Sequence, residues 1–192
     1  MSGKLFVISA PSGSGKTTLC AKLLKSFLGK RKLVRSVSAT TRAARPGERQ
    51  DEDYFFLTKG EFLKKKAARQ FLEWAKVLGN YYGTPGDFVR RHLRRGNDVL
   101  LAIDVQGALK VKRCHDLAAV FIFILPPSLA ELSRRLKHRS TETGKEITRR
   151  LALAKREISP RNIQQYDYVV VNDTIAESLR KLKRIIVHER GK

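Results

Sequence analysis

Leu5-Phe-Val-Ile-Ser-Ala-Pro-Ser-Gly-Ser-Gly-Lys-Thr17 decides the fold. Its first part, Leu5–Ser9, is a short apolar run of the kind that forms a strand buried on both faces. The rest fits the phosphate-loop pattern G-x-x-x-x-G-K-[ST], with Ala10 in place of the first glycine. Lys16–Leu28 then sets Leu19, Leu23, Leu24 and Phe27 on one helical face. Gly13 and Gly15 let the backbone curl until successive N–H groups point at phosphate oxygens. The helix that follows adds the positive end of its dipole. Lys16 can reach the β- and γ-phosphates, and the Thr17 hydroxyl can ligate Mg²⁺. An ordinary Gly/Ser turn is the competing reading, and the strand–loop–helix context disfavours it. The candidate ATP-binding residues here are Gly13, Ser14, Gly15, Lys16, Thr17 and Thr18.

Outward from this loop, apolar runs alternate with helical patterns. Asp98–Asp104, Val120–Leu125 and Tyr168–Asn172 read as further strands. Helices are expected near Pro85–Arg95, Gly107–Arg113, Ser128–Lys137, Lys145–Ile158 and Ile175–Glu189. Such an order predicts an α/β protein with a parallel central sheet between helical layers. Val34–Leu78 breaks the rhythm with short strand candidates, Ser36–Thr40 and Asp53–Leu57, and with the segment Gln70–Val77, separated by a polar Arg-Pro-Gly-Glu turn. We expect a small inserted lobe over residues 34–78 and a core of 1–33, 79–133 and 151–192. The polar link Ser140–Gly144 joins two Arg-rich helices, which makes 134–150 a candidate lid. Asp104 ends the strand Val99–Ile103 in the position of a Walker-B acid, where it can face Mg²⁺ through water or cap the next helix, or do both.

The chain of 192 residues is long enough for a sizeable core and carries 40 Lys+Arg against 18 Asp+Glu, a net charge of +22. Apolar runs such as Ala118–Leu125 fall well short of the ~18 residues needed to span a membrane. No secretory signal is apparent, and Cys20 and Cys114 suggest neither a disulfide scaffold nor a zinc site. The cytoplasm is the expected location. The charge favours polyanionic partners without naming one.

Seven further stretches then resemble guanylate kinase, the nucleoside monophosphate kinases that convert GMP and ATP into GDP and ADP. They are Ser38-Ala-Thr-Thr-Arg42, Arg45-Pro-Gly-Glu48, Asp53-Tyr-Phe-Phe56, Phe71-Leu-Glu-Trp74, Gly79-Asn-Tyr-Tyr-Gly83, Ile103-Asp-Val-Gln-Gly107 and Pro126-Pro-Ser128. The likeness runs from about Leu5 to Arg190. It implies a three-layer P-loop kinase fold with an inserted GMP-binding lobe and a helical lid. By resemblance Glu73 accepts the N1–H and N2 amino hydrogens of guanine, while Ser38 and Thr84 serve the O6/N7 edge. Arg42, Arg45, Tyr54 and Tyr82 match the positions that grip the GMP phosphate, and Asp104 is a further GMP-binding candidate, through a guanine contact, beside its metal role. Arg135, Arg139 and Arg150 match lid arginines that close over ATP. Arg45, Arg139 and Arg150 are expected to stabilise the transition state beside Lys16. Asn172 and Asp173 resemble the loop beside adenine, although an Asx turn explains them nearly as well. The implied co-substrate is ATP and the implied metal Mg²⁺, with dGMP a second acceptor and the chain a monomer or homodimer.

Two features depart from the family pattern. Ala102 stands where the family usually has an acid two residues before Asp104, and the basic charge is unusual. Two other classes compete with an active kinase. A protein-binding module derived from the fold would tend to lose the Gly-Lys-Thr loop and lid arginines, both present here. A nucleic-acid-binding protein would suit the charge, but no stacking motif or recognition helix is apparent.

Overall fold

The computed structural model describes residues 2–28, 32–113, 117–137 and 144–192. Five strands form the central sheet: β1 (Leu5–Ser9), β2 (Leu33–Arg35), β7 (Asp98–Ile103), β8 (Ala119–Leu125) and β9 (Tyr168–Val171). All are parallel, in the order β2-β7-β1-β8-β9. The alternation within β1 explains the layering, since successive side chains leave opposite faces of a strand. Leu5 and Val7 enter a core with Val89, Leu93, Val105, Ala108 and Val111, from helices α3 (Gly86–Arg94) and α4 (Val105–Lys112). Phe6 and Ile8 enter the opposite core with Leu19, Leu23, Leu182 and Ile186, from α1 (Lys16–Lys25) and α8 (Ile175–Gly191). Burial on both faces accounts for the unbroken apolar run.

A second, four-stranded sheet has the order β4-β3-β6-β5. It comprises β3 (Ala39–Thr40), β4 (Phe55–Phe56), β5 (Phe71–Val77) and β6 (Asn80–Pro85), with helix α2 (Lys59–Ala67) against it. The lobe boundaries thus differ from the expected 34–78. Leu33–Arg35 pairs with β7 and belongs to the core sheet, and of the expected strand Ser36–Thr40 only Ala39–Thr40 forms a strand, in the lobe sheet. Asn80–Pro85, expected in the core, pairs with β5 and β3 and carries the lobe on to residue 85. Leu78 and Gly79, with φ of 50° and 91°, close the β5–β6 hairpin, the handedness two-residue hairpin loops favour.

Helices α5 (Leu129–Lys137) and α6 (Gly144–Glu157) pack together as an arm through Leu132, Leu136 and Ala154. A short helix, α7 (Pro160–Ile163), leads from it to β9. Arg139 and all of the Ser140–Gly144 link except Gly144 lie outside the described residues. Among the described residues, no helix is long and apolar enough to cross a membrane.

Candidate active site

In open parallel sheets the carboxyl ends of the strands make the binding crevice, and the register places two such ends together. Ser9 of β1 lies opposite Ile103 of β7, so the phosphate loop and Asp104 leave the sheet as neighbours. Lys16 Nζ donates to the Ile103 carbonyl and ties the loop to that strand. The loop needs both its glycines, with φ of 92° at Gly13 and 85° at Gly15. A Cβ at Gly13 would come within 2.9 Å of Leu132, and one at Gly15 within 2.4 Å of Asn172 Nδ2. The loop is therefore clasped between the lid arm and the end of β9.

Between loop, lobe and lid lies one cleft of about 590 Å³. Gly13, Gly15, Lys16, Thr17 and Thr18 line it on one side. Ser38, Arg42, Arg45, Tyr54, Glu73 and Tyr82 line it from the lobe, Asp104 from β7, and Arg150 from the lid. Arg42 is clamped by both oxygens of Glu48, at 2.9 and 2.8 Å, and lies 5.5 Å from the centre of the Tyr54 ring. Glu48 also accepts from the Arg45 amide at 2.8 Å, so one carboxylate shapes the whole arginine turn. Arg150 donates to Ser12 Oγ at 2.7 Å, joining lid to loop.

Glu73 is held from several sides. Thr84 Oγ1 donates to its Oε1 at 2.7 Å, and a Cβ on Gly107 would fall 2.8 Å from its Oε2. Burial pushes its carboxyl up to about 7 against the help of the Thr84 bond, and nearby Asp104 adds to the rise. Asp104 caps α4 through a 3.0 Å bond from the Gly107 amide, so the capping reading of this residue holds while it also faces the cleft. Burial lowers the pKa of Lys16, with the charge of Asp104 the largest influence resisting it.

Five expected site residues stand apart from the cleft wall. Thr84 is wholly buried behind Glu73. Ser14 is wholly buried within the loop. Asn172, expected beside adenine, is 1% exposed and turned inward, where its Nδ2 donates to the Ser14 carbonyl at 2.7 Å. Its neighbour Asp173 is exposed to solvent. Arg135 is held by Glu131 at 2.7 Å and reaches the Asn172 carbonyl at 3.3 Å. Residues that sequence reasoning did not single out also line the cleft: Ser12, Arg35, Arg149 and Glu157. Burial raises the Glu157 carboxyl to about 7, with Asp104 adding repulsion and Lys16 opposing. The spacing of Glu146, Arg149, Arg150, Leu153 and Glu157 is that of one helical face and could have flagged it.

A family model described as guanylate kinase matches residues 2–189. The guanylate kinase of Wolbachia pipientis wMel is 48% identical over 190 residues, covering 99% of this chain and 92% of that protein. The guanylate kinase of Thermotoga maritima is 44% identical over 192 residues, covering 100% of this chain and 90% of the relative. The crystal structure of guanylate kinase from Anaplasma phagocytophilum superposes with a TM-score of 0.82 at 38% identity, covering 100% of this chain and 88% of that one. With a phosphate loop and a buried carboxylate facing one cleft, and with matches along its whole length, the chain belongs to the guanylate kinase family, whose enzymes phosphorylate GMP.

Proposed function

We propose that ATP donates its γ-phosphoryl group to GMP across this cleft, with dGMP a second acceptor. The observation that carries the reading is the single cavity joining Lys16 to Glu73. A purine monophosphate whose base meets Glu73 has its phosphate near Arg42, Arg45, Tyr54 and Tyr82, directed at the phosphate loop. Ionised Glu73 accepts the two hydrogens that guanine presents and adenine lacks. An unpaired acceptor facing a buried acceptor is penalised heavily, so AMP is a poor substrate.

Phosphoryl transfer needs alignment and positive charge around the moving group more than covalent help. Lys16 and the loop amides cradle the β- and γ-phosphates. Arg45, Arg150 and Arg139 supply charge from the lobe and lid. Arg135 and Asn172 act indirectly, holding the lid arm and the loop in register.

Mg²⁺ fits the donors present. Among the described residues no group of three or more His, Cys, Asp or Glu could hold a metal. Thr17 and Asp104 offer one hydroxyl and one carboxylate, hard oxygen donors of the kind that share Mg²⁺ with substrate phosphates and water. When bound, the ion neutralises phosphate charge.

The test is a coupled ADP-release assay with ATP and each of GMP, dGMP, AMP, CMP and UMP. Turnover confined to the guanine nucleotides is expected. Comparable turnover of AMP would remove the guanine assignment to Glu73.

A further inference from the structure

The side of α6 that faces the cleft carries Glu146, Arg149, Arg150, Leu153 and Glu157. The two arginines suit a phosphate-binding lid, and Glu157 does not. It is 7% exposed, yet it lines the cleft. Asn162 reaches only its backbone carbonyl, and no described residue donates a hydrogen bond or forms an ion pair with its carboxylate. It occupies the last residue of α6, where the helix dipole disfavours an anion. Asp104 faces the same space and repels it. Lys16 is the cation that offsets this, and its ammonium is already engaged by the Ile103 carbonyl.

The Glu157 oxygens open toward the cleft, so a carboxylate that receives no donor from the described residues is balanced best by a cation arriving there. An incoming phosphate alone would worsen the repulsion; a divalent cation would relieve it. Strand β7 has Ala102 on the cleft wall where a second acid could stand, two residues before Asp104. Glu157 brings a carboxylate to the same cleft from the lid instead.

We propose that Glu157 is a positioning residue for the divalent cation that enters with ATP, accepting hydrogen bonds from the metal's water shell beside Asp104 and Thr17. The lid helix thereby senses the metal at one end and the phosphates, through Arg149 and Arg150, nearer its middle. This rests on the reading of the loop as a metal–nucleotide site.

The test compares the full chain with its Glu157→Gln variant, using Mn²⁺ as the probe and no GMP. Electron paramagnetic resonance measures Mn²⁺ affinity of the ATP-saturated protein, and calorimetry in EDTA measures metal-free ATP binding. We expect Mn²⁺ affinity to fall about 10-fold, the scale of an outer-shell partner. Metal-free ATP should bind as tightly as before or more tightly, because a repelling charge is gone. Unchanged Mn²⁺ affinity would overturn the proposal. So would parallel weakening of both, which marks a merely structural or Lys16-orienting group. If circular dichroism shows the amide variant unfolded, Glu157→Asp, which keeps the charge and shortens the reach, is measured in the same way: Mn²⁺ affinity should fall while metal-free ATP binding stays unchanged. Failure of the parent to form any Mn²⁺–ATP complex would overturn the nucleotide reading itself and this inference with it, while acceptor preference reports on the guanine site separately.

Discussion

Glu73 shows how one residue's role depends on what its neighbours omit as much as on what they supply. Thr84 fixes one carboxylate oxygen, and the bare Cα of Gly107 makes room for the other. Gly107→Ala should therefore displace the carboxylate and raise KM for GMP about 10-fold, or ~1.4 kcal/mol of lost binding, with KM for ATP unchanged. Steady-state kinetics in each substrate separates the two, and a matched rise in both would contradict it. Titration of Glu73 gives a second prediction. Its folded pKa of about 7 lies above the ordinary 4.5, so the folded state binds more protons between these values. Stability from this group accordingly declines as pH rises from about 4.5 to about 7. Glu73→Gln should match the parent near pH 4 and exceed it by on the order of 3 kcal/mol at pH 8, while losing guanine selectivity. Urea unfolding at the two pH values checks this; a gain independent of pH would contradict it. On the proposed reading guanine meets the ionised form, so KM for GMP should fall as pH rises through 7. The sequence singles out Glu73 through the stretch Phe71-Leu-Glu-Trp74, which resembles the family. It does not carry the claim of Thr84 on Glu73, because a hydroxyl's partner is settled by strand pairing.

At the scale of elements, strands buried on both faces were legible, the short lobe strands β3 and β4 lie within longer expected candidates, and Asn80–Pro85 was not legible. Asn80–Pro85 contains Gly83 and ends in Pro85, both poor strand formers alone. Its pairing with β5 is selected by packing: a Cβ on Gly83 would meet Phe71 at 2.9 Å and Phe62 at 3.0 Å. Those two rings stack at 4.6 Å. Helix α2 has a local signal, the capping box Thr58-Lys-Gly-Glu61, in which each side chain bonds the other's backbone amide. Thr58→Ala should cost about 1 kcal/mol in chemical denaturation. The β9–α8 junction is of greater consequence for function. Asn172→Ala removes the donor to the Ser14 carbonyl inside a buried loop, so it should lower stability by about 1–3 kcal/mol. It should also weaken ATP more than GMP, as calorimetry with each nucleotide would show. Equal weakening of both would mean that Asn172 supports the whole cleft and not the loop alone.

For the whole molecule, a net charge of +22 gives a positive field that attracts anionic nucleotides from solution. That field is screened within ~8 Å at physiological ionic strength, so kcat/KM for both nucleotides should drop several-fold between low and high salt while kcat holds. A salt-independent kcat/KM would confine the charge to other tasks. The strand order β2-β7-β1-β8-β9 bears on the order of synthesis as well. Leu5–Ser9 emerges early, yet both its neighbours come later, starting at Asp98 and Ala119. At about 5–20 residues per second, a segment of Leu, Phe, Val and Ile waits on the order of 5–20 s for its first partner. A fragment ending at Asn97 should accordingly show no cooperative unfolding. The strand that aims the phosphate loop is made early and seated late, which makes it a natural site for chaperone capture and a point where slow translation exposes the chain to aggregation.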